Sequence, residues 1–102
     1  MKTKTDMTVA DNLCDQLGGM TFRLLGAYHL VGDDKGLTFK FRGSRKANCV
    51  RIKLNALDLY DVEFLRYLPK KFELHDVSAH QNVPVDALHD LIENVTGLYT
   101  RI

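Results

Sequence analysis

Leu37-Thr-Phe-Lys-Phe-Arg42 and Cys49-Val-Arg-Ile-Lys-Leu54 decide the fold of this chain, because apolar and polar residues alternate one by one through both. A strand turns successive side chains to opposite faces. Leu37, Phe39, Phe41, Val50, Ile52 and Leu54 therefore share a dry face, and Thr38, Lys40, Arg42, Arg51 and Lys53 a wet one. Upstream, Tyr28-His-Leu-Val31 and the Gly/Asp-rich segment from Gly32 to Gly36 predict a strand and a hairpin turn. Downstream, Tyr60-Asp-Val-Glu-Phe64 repeats the alternation. Pro69, lacking an amide hydrogen, is expected to stop that strand, Lys70-Lys71 to form a solvated turn, and a last strand to run from about Phe72 to Val77.

Helical spacing flanks this strand region. Val9, Leu13 and Leu17, behind the N-cap candidate Thr8, predict a helix from Val9 to Leu17; Gly18-Gly19 ends it, and Met20 to Leu25 supplies another turn. Near the C-terminus Asn82 is the candidate N-cap, Pro84 stands in the first turn, and Asp86 complements the dipole. Leu88, Leu91, Ile92 and Val95 form a stripe closed by Gly97, predicting a helix from Val83 to Thr96. The fold class is α+β: an antiparallel meander sheet of about five strands, with N-terminal helices and a C-terminal helix packed on one face. The C-terminal helix is expected to cover Phe39, Phe41, Val50, Ile52, Val62, Phe64 and Leu74.

At 102 residues there is room for one domain, expected over residues 8–102 behind a flexible tail of residues 1–7. Hydrophobic residues at 45% and charged residues at 26% are globular proportions, and a net charge of +1 gives no global steering toward nucleic acid or membrane. The first residues lack an apolar signal region and no apolar run reaches membrane-spanning length, so a cytoplasmic protein with no membrane partner is expected. Cys14 and Cys49 have no CxxC or zinc-finger spacing and read as reduced thiols. His29, His75, His80 and His89 make no HxH or HExxH, and Asp33-Asp34 reads as a turn rather than a calcium loop. No GxSxG, P-loop or GxGxxG occurs. The reading is a non-enzyme with no catalytic residue, metal or cofactor.

Lys40, Arg42, Arg45, Lys46, Arg51 and Lys53 form the one cluster that suggests a ligand, because grouped cations neutralise phosphates and release counterions. Pairing dry residues across the third and fourth strands sets Leu54 against Tyr60, Ile52 against Val62 and Val50 against Phe64. Lys53 then opposes Asp61 and Arg51 opposes Glu63. With Lys71, Glu73 and His75 added from the last strand, the wet face is mixed in charge, and the unmatched cations are Arg45, Lys46 and Arg42. No aromatic residue is expected on the same wet positions, which favours a solvated surface over a base-stacking platform.

Gln16-Leu-Gly-Gly19, Leu25-Gly-Ala27, Leu37-Thr-Phe-Lys-Phe41, Val50-Arg-Ile-Lys-Leu54, Asp58-Leu-Tyr-Asp-Val-Glu-Phe64 and Thr96-Gly-Leu-Tyr-Thr100 resemble segments of a family of small, uncharacterised phage and prophage-encoded bacterial proteins. The resemblance covers about residues 12–102. It implies a cytoplasmic protein of a bacterial cell or phage-infected host, and it carries over no activity or functional residue. Where many such sequences have lysine or asparagine after Leu-Gly-Ala, this chain has Tyr28 and His29. The expected role is that of a phage or prophage accessory protein that binds a host or phage macromolecule, protein in the first instance. The alternative is nucleic-acid binding through Arg42, Arg45, Lys46, Arg51 and Lys53.

Overall fold

Alternation becomes pairing in the computed structural model, which describes residues 8–68, 70–98 and 100. Strands β1 (Tyr28–Gly32), β2 (Gly36–Lys40), β3 (Cys49–Leu54), β4 (Tyr60–Leu68) and β5 (Glu73–Val83) join in sequence order as one antiparallel sheet. Between β3 and β4 the register follows the hydrophobic pattern: Ile52 faces Val62, Val50 faces Phe64, Arg51 faces Glu63 and Lys53 faces Asp61. The expected tail at residues 1–7 and the strand stop at Pro69 lie outside the described residues.

Both edge strands carry irregularities, and these correct the reading of the last strand. Phe64 faces Ser78 but Leu65 faces Asp76, so Val77 is an extra residue in β5. A one-residue shift exchanges the faces of everything before it. Leu74, expected in the dry core, lies opposite Tyr67 on the other face and is 56% exposed. Glu73 and His75, expected on the wet face, lie opposite Leu68 and Arg66 on the helix side. A second irregularity falls between Tyr60 and Val62, beside Asn82. Asn82 is therefore not a helix cap: with φ +59° it sits in β5, its N–H donating to Asp61 Oδ1 at 3.2 Å. The chain turns helical later, through a 3-10 turn at Val85–Ala87 and helix α3 (Leu88–Thr96). Edge β1 is also irregular, between Tyr28 and Val31, where His29 has φ +53°. Such bulges make both edges poor templates for a further strand.

Helices α1 (Thr8–Leu17) and α2 (Gly19–Leu25) share the dry face with α3. The C-terminal helix does not cover it alone: Ala10, Leu13, Leu17 and Leu25 enter the same core cluster as Leu88 and Ile92, against Phe39, Phe41, Val50, Ile52, Val62 and Phe64. Leu91 and Val95 are half-buried at its margin. Each fully buried side chain of this size contributes about 1.5–3 kcal/mol. Helices α1, α2 and α3 therefore lie on one side of the sheet, and among the described residues the other face carries no second layer.

The β1–β2 turn is closed by Asp33, whose Oδ1 accepts the N–H groups of Lys35 and Gly36, both at 2.8 Å. These bonds, more than the nearby Lys53 and Lys35, hold the Asp33 carboxyl below the usual carboxylate range. Its stabilising effect is complete above the ordinary aspartate pKa and is lost as pH falls through the lowered folded value. Asp33→Asn, which keeps an acceptor but cannot titrate, should flatten the acid limb of a stability–pH profile. Parallel profiles for parent and variant would refute this.

Candidate functional site

The uncovered face is built from one cross-strand row. Tyr28 pairs with Lys40, Lys40 with Cys49, Cys49 with Leu65, and Leu65 with Asp76. Lys40 extends across β3, and its Nζ lies 4.6 Å from the ring centroid of Tyr67. Cys49 and Leu65 are buried in this row, outside the main core. Next to it the Arg42 guanidinium carbon lies 4.4 Å from the ring centroid of Tyr28. Two tyrosines on the open face thus each carry a cation, at about 0.5–1 kcal/mol per exposed pair. This corrects the expectation of a wet face without aromatic residues.

Tyr67 is fixed from behind. The Asn48 side-chain amide takes the place of a strand neighbour: Nδ2 donates to the Tyr67 carbonyl at 2.8 Å, and Oδ1 accepts the Tyr67 N–H at 2.7 Å. Asn48 is itself held in line by Phe41 N–H donating to its carbonyl and by its own N–H donating to Leu65 O, each at 3.0 Å. The loop between β2 and β3 is similarly anchored. Ser44 Oγ donates to Thr96 O at 2.8 Å and accepts Lys46 N–H at 3.1 Å, Arg66 Nη1 donates to Ser44 O at 3.3 Å, and Ala47 is buried. Arg45 and Lys46 are therefore exposed cations on a pinned backbone.

The structure divides the sequence-predicted cations. Arg42, Arg45 and Lys46 stand at one end of the sheet, where β2 ends and β3 begins. Lys40 ends β2 there, and Lys70 and Lys71 form the exposed β4–β5 turn at the same end. β5 begins at this end too and brings the carboxylates Glu73 and Asp76 to it, and the end of α3, with Glu93, is bonded to the Ser44 loop. Arg51 is not free: its Nη1 lies 3.5 Å from Glu63 Oε1. Lys53 is at the opposite end, among Asp33, Asp34, Asp58 and Asp61, where its charge acts on Asp33. Asp61 Oδ1 there accepts Asn55 Nδ2 at 3.0 Å as well as Asn82 N–H. A chain of net charge +1 is thus polarised along its strands.

Phe72 also belongs to the basic end. It follows Lys71 in the β4–β5 turn, is 87% exposed, and has φ +53°, a backbone region unfavourable to a bulky side chain. Tyr28, Tyr67 and Phe72 were missed as candidates in the sequence. Extending the β4 alternation past Phe64 would have found Tyr67.

The thiols are not primed for nucleophilic chemistry. Burial pushes the Cys49 thiol up, outweighing the pull of Arg51 and Lys40. Cys14 is raised by burial and by Asp11 and Asp15. Among the described residues no group of three or more His, Cys, Asp or Glu could hold a metal ion, and no helix is long and apolar enough to cross a membrane. No protein-family model, curated protein or solved structure matches the chain.

Proposed function

We propose that this protein is a nucleic-acid-binding module that docks a phosphate backbone on the basic end of its open sheet face. The observation that carries this reading is the gathering of Lys40, Arg42, Arg45, Lys46, Lys70 and Lys71 at one sheet end, with the acidic turns at the other. Net charge governs long-range steering, but a local field depends on how charges are separated, and a surface where cations outnumber carboxylates, as here beside Glu73 and Asp76, concentrates anions. Anchoring of the Arg45–Lys46 loop reduces the entropy lost when a phosphate is bound. The open face supports docking of an extended chain because, among the described residues, the helices lie on the other side of the sheet.

Fluorescence anisotropy of a labelled oligonucleotide over a salt series tests the proposal. Affinity should fall steeply with salt, and an Arg45→Ala, Lys46→Ala double variant should lower the slope of log K against log salt by about 1.4–1.8. Lys35→Ala with Lys53→Ala, at the acidic end, should leave that slope unchanged. Salt-independent binding, or a loop variant that binds as the parent does, would overturn the assignment and leave a protein partner as the better reading of the face.

A further inference from the structure

Resting on that reading, we infer that the nucleic acid is single-stranded and that its bases stack on Tyr67 and Tyr28 at the basic end of the open face and on Phe72 in the adjoining β4–β5 turn. A cation-lined surface alone would hold any polyanion. Aromatic rings beside the cations, half-buried at Tyr28 and Tyr67 and exposed at Phe72, add a requirement that duplex does not meet, because its bases are already stacked on one another and its grooves are read by inserted helices or ribbons. Here α1, α2 and α3 lie on the far side of the sheet, and among the described residues no helix projects from the open face. Tyr28 and Tyr67 stand on β1 and β4, three strand spacings or roughly 14 Å apart across the sheet. Lys40 lies between them, opposite Tyr28 in register and with its ammonium over Tyr67. A strand crossing the sheet here would meet Tyr28 and Lys40 in the paired row and then Tyr67, two residues along β4 from Leu65, before reaching Asp76 on β5.

Two details separate this arrangement from a passive surface. The Asn48 amide occupies both backbone hydrogen-bonding groups of Tyr67, so the backbone that carries the ring is held before a ligand arrives. Phe72 is the stronger sign. Its φ of +53° suits glycine or asparagine, and at 87% exposure the side chain gains almost nothing from burial. Stability therefore does not account for phenylalanine at this turn, whereas a stacking platform beside Lys70 and Lys71 does.

The full-length chain is titrated into labelled oligothymidylate, into the same strand annealed to oligoadenylate, and against heparin, a polyanion without bases. Oligothymidylate should bind more tightly than the duplex at every salt concentration, and heparin should compete less well as salt rises. Phe72→Asn should weaken oligothymidylate binding by about 5- to 150-fold with an unchanged salt slope, while raising the melting temperature because asparagine accepts the backbone conformation. Tyr67→Leu should behave likewise toward the ligand, its folding checked by a urea melt. Salt-dependent binding with equal affinity for single strand and duplex, or undiminished affinity in Phe72→Asn and Tyr67→Leu, would overturn this inference and leave the docking of phosphate standing. Loss of salt-dependent binding to every probe would remove both.

Discussion

Ile92→Ala should destabilise the domain by about 2–5 kcal/mol in a urea melt, and Lys53→Ala should stay within about 0.5 kcal/mol of the parent. Ile92 is 0% exposed on α3 and enters the cluster formed by Phe39, Phe64 and their neighbours on the sheet. Truncation there removes the transfer free energy of three carbons. It also leaves a cavity that the flanking strands, paired on both sides, can close only in part. Leu91, one residue earlier, is half-buried at the margin and should cost less than Ile92. Lys53 is exposed on the face without a helix. Since whole domains are held together by roughly 5–15 kcal/mol, Ile92→Ala alone should shift the urea midpoint visibly. Equal losses from Ile92→Ala and Lys53→Ala would mean that the sheet has been read inside out.

The central hairpin was legible because a period of two admits one register that keeps every apolar residue on the same side. Val50 against Phe64 and Arg51 against Glu63 follow from that condition alone. What escaped has a common cause. A bulge inserts one residue without any required residue type, and Val77 looks like any other strand valine. Its insertion moves Leu74 out of the core and onto the open face opposite Tyr67. Asn82 was misread because asparagine suits both a helix N-cap and a left-handed bulge position, and the nearby Pro84 favoured the helical reading. Phe64-Leu65 broke the alternation and hid the continuation of β4. Leu65 is apolar because it lies with Cys49 in a small buried row on the open face, where Lys40 reaches toward Tyr67. The basic loop was visible in the sequence. Of its aromatic companions, Tyr67 lay just beyond the point where the β4 alternation stopped, and Tyr28 and Phe72 stood at the starts of predicted strands without a visible link to the loop.

Gly36→Ala should cost about 3 kcal/mol, the upper part of the range for forcing atoms into a filled site. The reason is a close approach rather than an unusual backbone angle. Gly36 faces Lys53 across the β2–β3 ladder, and a Cβ added to it would fall onto the carbonyl oxygen of Ile52. A flexible side chain could move aside, but this oxygen belongs to the backbone of the central strand, so β2 must shift instead. The shift would strain the Gly36 N–H bond to Asp33 Oδ1, the Asp33 N–H bond to Gly36 O and the Leu54 N–H bond to Lys35 O. Gly19→Ala supplies the contrast. At the start of α2 an added Cβ meets nothing within 4 Å, and alanine there should stabilise by about 0.4–1 kcal/mol through the unfolded chain. Hydrogen exchange should locate the Gly36→Ala defect in the amides of β1 and the β1–β2 turn, with the β3–β4 ladder retaining most of its protection. A Gly36→Ala protein that melts with the parent, or below which Gly19→Ala falls, would show that the β1–β2 hairpin does not lie against β3 as described.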